Sequence, residues 1–298
     1  MGPADRAIVG AHPTKHATPR AVLALLTALP LLLVGCASSS APQEEDDLSS
    51  LPRDTSAKAL LDHEQLAVTL PTTEFTPSHE LEAKANTAYE LMIRPCLRSA
   101  GYDIAVPAPV DVSEDRTWGL WSVERAREHG YHLANAAATA FKEPDSEEYR
   151  DTRARCWDET EPERQRLTKD APEDTESVGV GLASKATAAA KQGEEFASLH
   201  QRYEQCLKGK GYETDPELFG VADGPVADEN GAPTAEEIRA AVAEATCNQE
   251  LDVAQTMGNL EASYSAPMVK EHLAELNKQK EALQAFERRL DEYLRTHQ

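Results

Sequence analysis

The 298-residue sequence is poor in basic residues, in aromatic residues and in long apolar runs. Lysine and arginine number 30 against 52 aspartates and glutamates, so the formal net charge of −22 at pH 7 argues against nucleic acid and anionic lipid headgroups as partners. Aromatic residues make up only 5% of the chain, which favours helices with modest, alanine-rich cores. No apolar run reaches the roughly 20 residues that a membrane-spanning helix requires.

Catalytic signatures are missing too. The chain has no Gly-x-Ser-x-Gly elbow, no His-Glu-x-x-His zinc motif, no phosphate-binding loop and no Rossmann glycine pattern. His129 and His132 form a close pair, but Gly130 is expected to end their helix, so we interpret them as surface residues and not as metal ligands. Carboxylate pairs can be drawn almost anywhere from 52 acids and are uninformative. We predict no catalytic, cofactor-binding or metal-binding residue.

The first 35 residues have the organisation of a secretory signal peptide. A basic stretch contains Arg6, Lys15 and Arg20, with Asp5 as its only acid, and the uncharged, mostly apolar residues 21–34 follow it. These 14 residues suit the apolar region of a signal peptide and are too few to span a membrane. Export would remove a charge of +2 with the first 35 residues and leave a mature chain of −24.

The apolar run ends in Leu33-Val34-Gly35-Cys36, which resembles the lipobox of bacterial lipoproteins at every position. In that family the cysteine receives a diacylglycerol on its sulfur and becomes the mature N-terminus. The resemblance implies lipid attachment at Cys36 and a location on the extracytoplasmic face of the cell membrane. Such an anchor is effectively permanent, because two acyl chains hold far more strongly than one. The alternative is an ordinary signal peptide cut at a nearby Ala-Ser site, with a coincidental cysteine.

Residues 36–77 are predicted to form the lipidated N-terminus and a flexible tether. Residues 37–52 consist largely of serine, proline, glutamine and acids, which cannot bury enough apolar surface to fold. A short helix is possible from Ser56 to Leu70, before Pro71. If the whole of 37–77 were coil, its typical reach would be roughly 35 Å.

A repeat organises the remainder of the chain. The segment Cys96-Leu97-Arg98-Ser99-Ala100-Gly101-Tyr102 returns about 110 residues later as Cys206-Leu207-Lys208-Gly209-Lys210-Gly211-Tyr212. Each copy is expected to end a helix at its glycine, and the first helix is expected to start at Thr76 and Pro77. Each is followed by a capped helix with a second cysteine: Asp145 and Glu148 are interpreted as a capping box before Cys156, and Thr234 and Glu237 as one before Cys247.

The four cysteines are predicted to form two disulfides. Four cysteines in an exported chain allow three pairings, and no Cys-x-x-Cys pair supports a zinc site. We choose Cys96 with Cys156 and Cys206 with Cys247, because the repeat makes these two pairs equivalent. On the chain-entropy account each bridge stabilises its half by roughly 4 kcal/mol.

Two further segments have recognisable patterns. Trp118, Trp121 and Tyr131 cluster around a short helix that Ser122 can cap and Gly130 can close, and we interpret them as core, with a binding platform as the alternative. The C-terminal 65 residues carry one apolar stripe, which is interpreted as the side of a helical bundle, with a coiled-coil seam as the alternative. The stripe consists of Val269, Leu273, Leu276, Leu283, Phe286, Leu290, Tyr293 and Leu294.

These patterns predict an all-α protein. The expected organisation is a signal peptide (1–35), a tether (36–77), a first disulfide-stapled helical repeat (78–168), a linker (169–181) and a second repeat with a long C-terminal amphipathic helix (182–298). The predicted function is a membrane-anchored, non-enzymatic binding module of the cell envelope, whose partner is another protein. A cell-wall or peptide hydrolase with an unrecognised site is the first alternative. A substrate-binding lipoprotein is the second.

Overall fold

The computed structural model of the protein describes residues 47–106, 114–133, 144–172, 177–222, 224 and 232–297. The signal-like segment and Cys36 lie outside these residues, so the predicted lipid attachment stays a prediction. Asp47–Gln298 belongs to one compact unit.

The described part of the chain is mostly helical, and the predicted all-α class with a long C-terminal helix is confirmed. The helices are α1 (His79–Ser99), α2 (Val123–His129), α3 (Glu147–Glu159), α4 (Glu161–Leu167), α5 (Val178–Gln192), α6 (Glu194–Gly209), α7 (Ala235–Leu251), α8 (Val253–Glu271) and α9 (Leu273–His297). Two short antiparallel strands, β1 (Leu60–Asp62) and β2 (Ala67–Thr69), form a hairpin, and single turns of 3₁₀-helix occupy Leu48–Ser50 and Thr73–Phe75.

The main core lies where α5 and α6 meet α7 and α8. Three alanines of α5 are almost fully buried, and small side chains of this kind let helices approach closely. Larger residues then fill the space between the helices. They are Trp118, Leu199, Tyr203, Leu207, Phe219, Met257, Leu260 and Tyr264.

A second core joins α1 to the C-terminal helix α9. The apolar stripe of α9 buries Leu276, Leu283, Phe286, Leu290 and Leu294, whereas Leu273 is 46% exposed. Four of these five residues, all but Leu276, pack against Leu81, Ala85, Ala88 and Met92 of α1. The stripe is therefore the side of a bundle within this chain, as its irregular spacing indicates.

The two repeat helices end in the same way. Gly101 and Gly211 have φ angles of +93° and +89°, a left-handed conformation that favours glycine. The N–H of Tyr102 donates to the carbonyl of Leu97 at 2.9 Å, and the N–H of Tyr212 donates to the carbonyl of Leu207 at 3.0 Å. These bonds satisfy equivalent carbonyl groups in the last turns of α1 and α6.

The disulfides pair as the repeat predicts. Cys96 bonds to Cys156 across α1 and α3, with Cα atoms 5.6 Å apart, and Cys206 bonds to Cys247 across α6 and α7, with Cα atoms 5.8 Å apart. Both Cα separations are ordinary for disulfides.

Two of the predicted helix starts are wrong by one or two residues. α1 is capped by Ser78, whose Oγ accepts from the N–H of Leu81, and not by Thr76. α3 is capped by Ser146, while the side chain of Asp145 pairs with that of Arg150. In both places serine offers a hydroxyl acceptor directly beside the first helical N–H groups. The capping box of Thr234 and Glu237 at α7 is present as predicted.

The predicted tether is wrong for residues 47–77, and the helix considered between Ser56 and Leu70 is a hairpin. This segment packs on the helices: Ala59, Leu66 and Phe75 are buried, and the N–H of Asp54 donates to the carbonyl of Ser263. The physical reason lies in two distant glycines. A Cβ at Gly258 would lie 2.9 Å from Cβ of Ala59, so glycine there lets the segment approach α8.

The second of these glycines is Gly179, and its surroundings show that part of the predicted linker, 169–181, is wrong. Ser177 caps α5, and the helix begins at Val178. A Cβ at Gly179 would lie 2.1 Å from the carbonyl oxygen of Phe75, so this glycine permits close packing and does not mark a linker. Because α1 also packs on α9, the two repeats share one body.

Candidate functional site

Three glutamates are buried inside the helical body. Glu237, Glu244 and Glu261 are 2%, 5% and 3% exposed. Glu237 and Glu244 are seven positions apart on α7, which places them on one face of that helix, and Glu261 lies on α8. All three contact the segment from Trp118 to His132, the region in which a hidden active site would be sought.

Glu244 ties two irregular segments to α7. Its Oε1 accepts from the N–H of Leu120 at 2.8 Å. Its Oε2 accepts from the hydroxyl of Tyr131 at 3.0 Å and from the N–H of Val221 at 3.2 Å. Burial raises the pKa of Glu244, and these three donors oppose the rise.

Glu237 holds the end of α2. Its Oε1 accepts from the N–H of Tyr131 at 2.9 Å and lies 3.4 Å from Nε2 of His132. Gly130 ends α2 as predicted, with a φ of +56° that favours glycine. A Cβ at this position would lie only 2.7 Å from Oε1 of Glu237, so the close approach of the carboxylate also requires glycine.

The prediction that both histidines are surface residues is wrong for His132. Its side chain is 9% exposed, compared with 25% for His129. The reason is the guanidinium of Arg116, which donates to the carbonyl oxygens of Tyr131 and His132 at 2.6 and 3.0 Å and draws this turn inwards. Glu114 in turn accepts from Arg116 at 2.6 Å.

Glu261 binds the indole of Trp118. Its Oε2 accepts from Nε1 of Trp118 at 3.0 Å, and its Oε1 lies 2.5 Å from the hydroxyl of Thr187. That hydroxyl also lies 3.1 Å from the carbonyl oxygen of Ala183, and it has a single proton to donate. Thr187 donates to Glu261 while that carboxyl group is ionised, whereas a protonated Glu261 can donate to Thr187 and leave the hydroxyl proton for Ala183. Burial raises the pKa of Glu261 to about 7.

The tryptophans are core residues, as predicted. Trp118 and Trp121 are 4% and 5% exposed. The carbonyl of Trp118 accepts from Nδ2 of Asn248 at 2.7 Å, and the carbonyl of Trp121 accepts from Nε2 of Gln249 at 3.1 Å. Both rings and both carbonyls are therefore engaged by the body of the protein.

The arrangement positions the backbone, and the three buried glutamates use their carboxyl oxygens for bonds within the protein. Each of the six carboxyl oxygens of the three glutamates takes part in at least one hydrogen bond with the protein itself. Sequence reasoning identified Glu237 only as a helix cap and missed Glu244 and Glu261, because the chain has 52 acids. Their position was the available signal. Glu237 and Glu244 lie on the alanine-rich face of α7, which packs against the body, so acids there are expected to be buried.

Other parts of the described chain offer weaker sites. Cys206, Cys247 and Glu250 have metal-ligand spacing, but the two sulfurs are bonded to each other and so are not thiolate ligands. An open depression lies between the N-terminal segment and α8. It is lined by Arg53, Thr55, Lys58, Glu195, Thr256, Asn259, Leu260 and Ser263. Arg53 is already paired with Glu195 at 2.7 Å and bonded to Ser263, so this depression presents no uncommitted arginine.

No helix in the described ranges combines the length and the apolar character needed to cross a membrane. Comparison of the chain with protein-family models, curated proteins and solved structures found no match.

Proposed function

We propose that this protein is a lipid-anchored, extracytoplasmic binding module of the bacterial cell envelope, without enzymatic activity. The signal-like N-terminus and the Leu33-Val34-Gly35-Cys36 sequence support the anchor. The acidic composition supports a protein partner over nucleic acid. The helical body, braced by two disulfides, supplies rigid surfaces for that partner.

The observation that carries the non-enzymatic part is the state of the buried acids. Acids, a histidine and tyrosine hydroxyls do converge beside residues 118–132, as a hydrolase would require. However, their carboxylate oxygens are occupied by backbone and side-chain donors of the protein. A general acid or base must reach the substrate through a hydrogen bond or one water, and these groups are committed to holding the fold.

The folded body begins at Asp47, so the proposed tether is shorter than the sequence predicts. Cys36 and Asp47 are eleven positions apart, so the chain between them reaches at most about 40 Å and typically about 18 Å as a coil. The module is therefore proposed to work close to the membrane surface, at about half the stand-off that a coil over residues 37–77 would give. Its partner must be accessible at that level.

The test is Cys36→Ala expressed from the native promoter, with Ser38→Ala as the matched control. We expect Cys36→Ala to be released to the medium or to accumulate as precursor, while Ser38→Ala stays with the membrane fraction. In-cell crosslinking then compares what is recovered with the anchored protein and with the Cys36→Ala protein. A Cys36→Ala protein that is fully processed and still membrane-bound contradicts the anchor.

A hydrolase is the second candidate, and one observation favours it. Glu261 is a buried carboxyl group with a pKa of about 7, a value typical of general acids. Purified protein that degrades a wall polymer or peptide, and loses this activity in Glu261→Gln while remaining folded, would replace the binding module with a hydrolase.

A further inference from the structure

The two disulfides join equivalent helix ends but have opposite charges beside their half-buried cysteine. Cys96 and Cys206 are half-buried, whereas Cys156 and Cys247 are fully buried. The guanidinium Nη1 of Arg155 lies 3.6 Å from Sγ of Cys96. At the second bridge, Oε2 of Glu250 lies 3.4 Å from Sγ of Cys206.

Both charged groups pair with a neighbour of opposite charge, which partly compensates them. Arg155 is paired with Glu159 at 2.9 Å, and Glu250 is paired with Lys210 at 3.5 Å. In each case the charged group in contact with the half-buried cysteine is the one considered, positive at Cys96 and negative at Cys206.

This difference matters because disulfides are reduced by attack of an anionic thiolate on one sulfur. A positive group beside Cys96 attracts the incoming thiolate, and a negative group beside Cys206 repels it. At an exposed site, a charge about 4 Å away changes the rate of thiolate attack by roughly fivefold. Because neighbouring charges partly compensate both groups, we expect the two reduction rates to differ by roughly tenfold in total.

The two bridges also differ in what surrounds them. Cys156 belongs to a small cluster with Ile93, Leu97 and Tyr149, and α3 packs against α1 and α4. Cys247 belongs to the main core, and its helix α7 packs against α2, α6 and α8. Cleavage of the first bridge therefore affects a peripheral helix, whereas cleavage of the second reaches the centre of the body.

We propose that Cys96–Cys156 is a redox-sensitive switch, reduced by dithiols in preference to Cys206–Cys247, and that its reduction releases α3 from α1 while the main core stays folded. A dithiol's thiolate attacks Sγ of Cys96, the bond to Cys156 breaks, and Cys156 leaves as a thiolate that takes a proton from water. The second thiol of the reductant then displaces Cys96. The dithiol is oxidised to a disulfide by two electrons, and both cysteines end as thiols.

The test follows both bridges in the folded full chain during reduction by dithiothreitol. Samples are quenched with an alkylating reagent and analysed by peptide mass spectrometry. We expect alkylation of Cys96 and Cys156 to be roughly tenfold faster than that of Cys206 and Cys247, with a smaller ratio in 1 M salt because exposed charges are screened.

Two charge variants isolate the cause. Arg155→Gln should slow reduction of the first bridge, and Glu250→Gln should accelerate reduction of the second, each by a few-fold. Cys96→Ser/Cys156→Ser reports the released state: by hydrogen exchange α3 should lose protection while α7 and α8 keep theirs. Equal or reversed reduction rates in low salt, or simultaneous loss of protection in α3 and α7, would overturn the proposal.

Discussion

Glu261→Gln is expected to stabilise the protein at alkaline pH and to change its stability little near pH 5. Glutamine has almost the shape of a protonated glutamate. Its amide nitrogen can donate to Thr187, as a protonated carboxyl group can, and its oxygen can accept from Nε1 of Trp118. The variant therefore keeps the hydrogen bonds of the protonated state and cannot ionise.

The magnitude follows from the raised pKa. An ordinary glutamate has a pKa of 4.5, and burial raises that of Glu261 to about 7. Because the folded-state pKa is raised, this group's contribution to stability is fully present below about pH 4.5 and is lost as the pH rises from there through about 7. A difference of this size between the folded and unfolded pKa corresponds to about 3 kcal/mol of unfolding free energy at pH 8.

The assay is urea unfolding with both disulfides intact, followed by circular dichroism at pH 5, 6, 7 and 8. Glu244 is also buried with a raised pKa, so the wild type alone does not isolate Glu261. The informative quantity is the difference between variant and wild type at each pH. Glu271→Gln, an exposed position on the same helix, is the matched control.

We expect this difference to be below about 1 kcal/mol at pH 5 and to rise to about 3 kcal/mol in favour of Glu261→Gln at pH 8. The control should show no such trend. A variant that is less stable than the wild type at pH 8, or a difference that does not change with pH, would refute the claim that burial raises the pKa of Glu261.

Two further substitutions test the close packing and the buried hydrogen bonds. Gly179→Ala should lower the unfolding free energy by about 2 kcal/mol or more, because its Cβ would lie 2.1 Å from the carbonyl oxygen of Phe75. The control is Gly181→Ala on the same helix, whose Cβ meets nothing within 4 Å and which should leave the unfolding free energy unchanged or raise it by up to about 1 kcal/mol. Equal urea midpoints for the two variants would contradict the close approach at Gly179. Tyr131→Phe should cost about 1 to 2 kcal/mol, because Glu244 loses its hydroxyl donor while staying buried, and an unchanged midpoint would show that the bond contributes nothing.

The repeat was readable from the sequence because its signals are local. A cysteine, a glycine five positions later and a following tyrosine define a helix end that recurs in both halves, and the equivalence of the halves selects one cysteine pairing out of three. The observed φ angles of Gly101 and Gly211 and the bonds to Leu97 and Leu207 supply the physical cause. Because these features depend on residues close together in the chain and on their recurrence, a single sequence was enough to predict them.

The packing of residues 47–77 was not readable in the same way. The strands of the hairpin are three residues long, too short for an alternating pattern to emerge, and Leu60 is 70% exposed while Leu61 faces the body. What fixes the segment is the room left by Gly179 and Gly258, about 100 and 200 positions away. A glycine in a helix indicates only a local weakness until the opposing chain is known.

The buried glutamates satisfy backbone groups of two segments that dock onto α7 and α8. The segments at 114–133 and 213–222 bury Trp118, Leu120, Trp121 and Phe219 against the body, but their backbone N–H groups still need acceptors. Carboxylates supply the attachment, because one group accepts several hydrogen bonds and so satisfies N–H groups that lie outside regular structure. The consequence is a body whose stability depends on pH through Glu244 and Glu261, which are buried at a cost when ionised. For a module proposed to work outside the cytoplasm, these two groups should contribute most to stability under acidic conditions and least at alkaline pH.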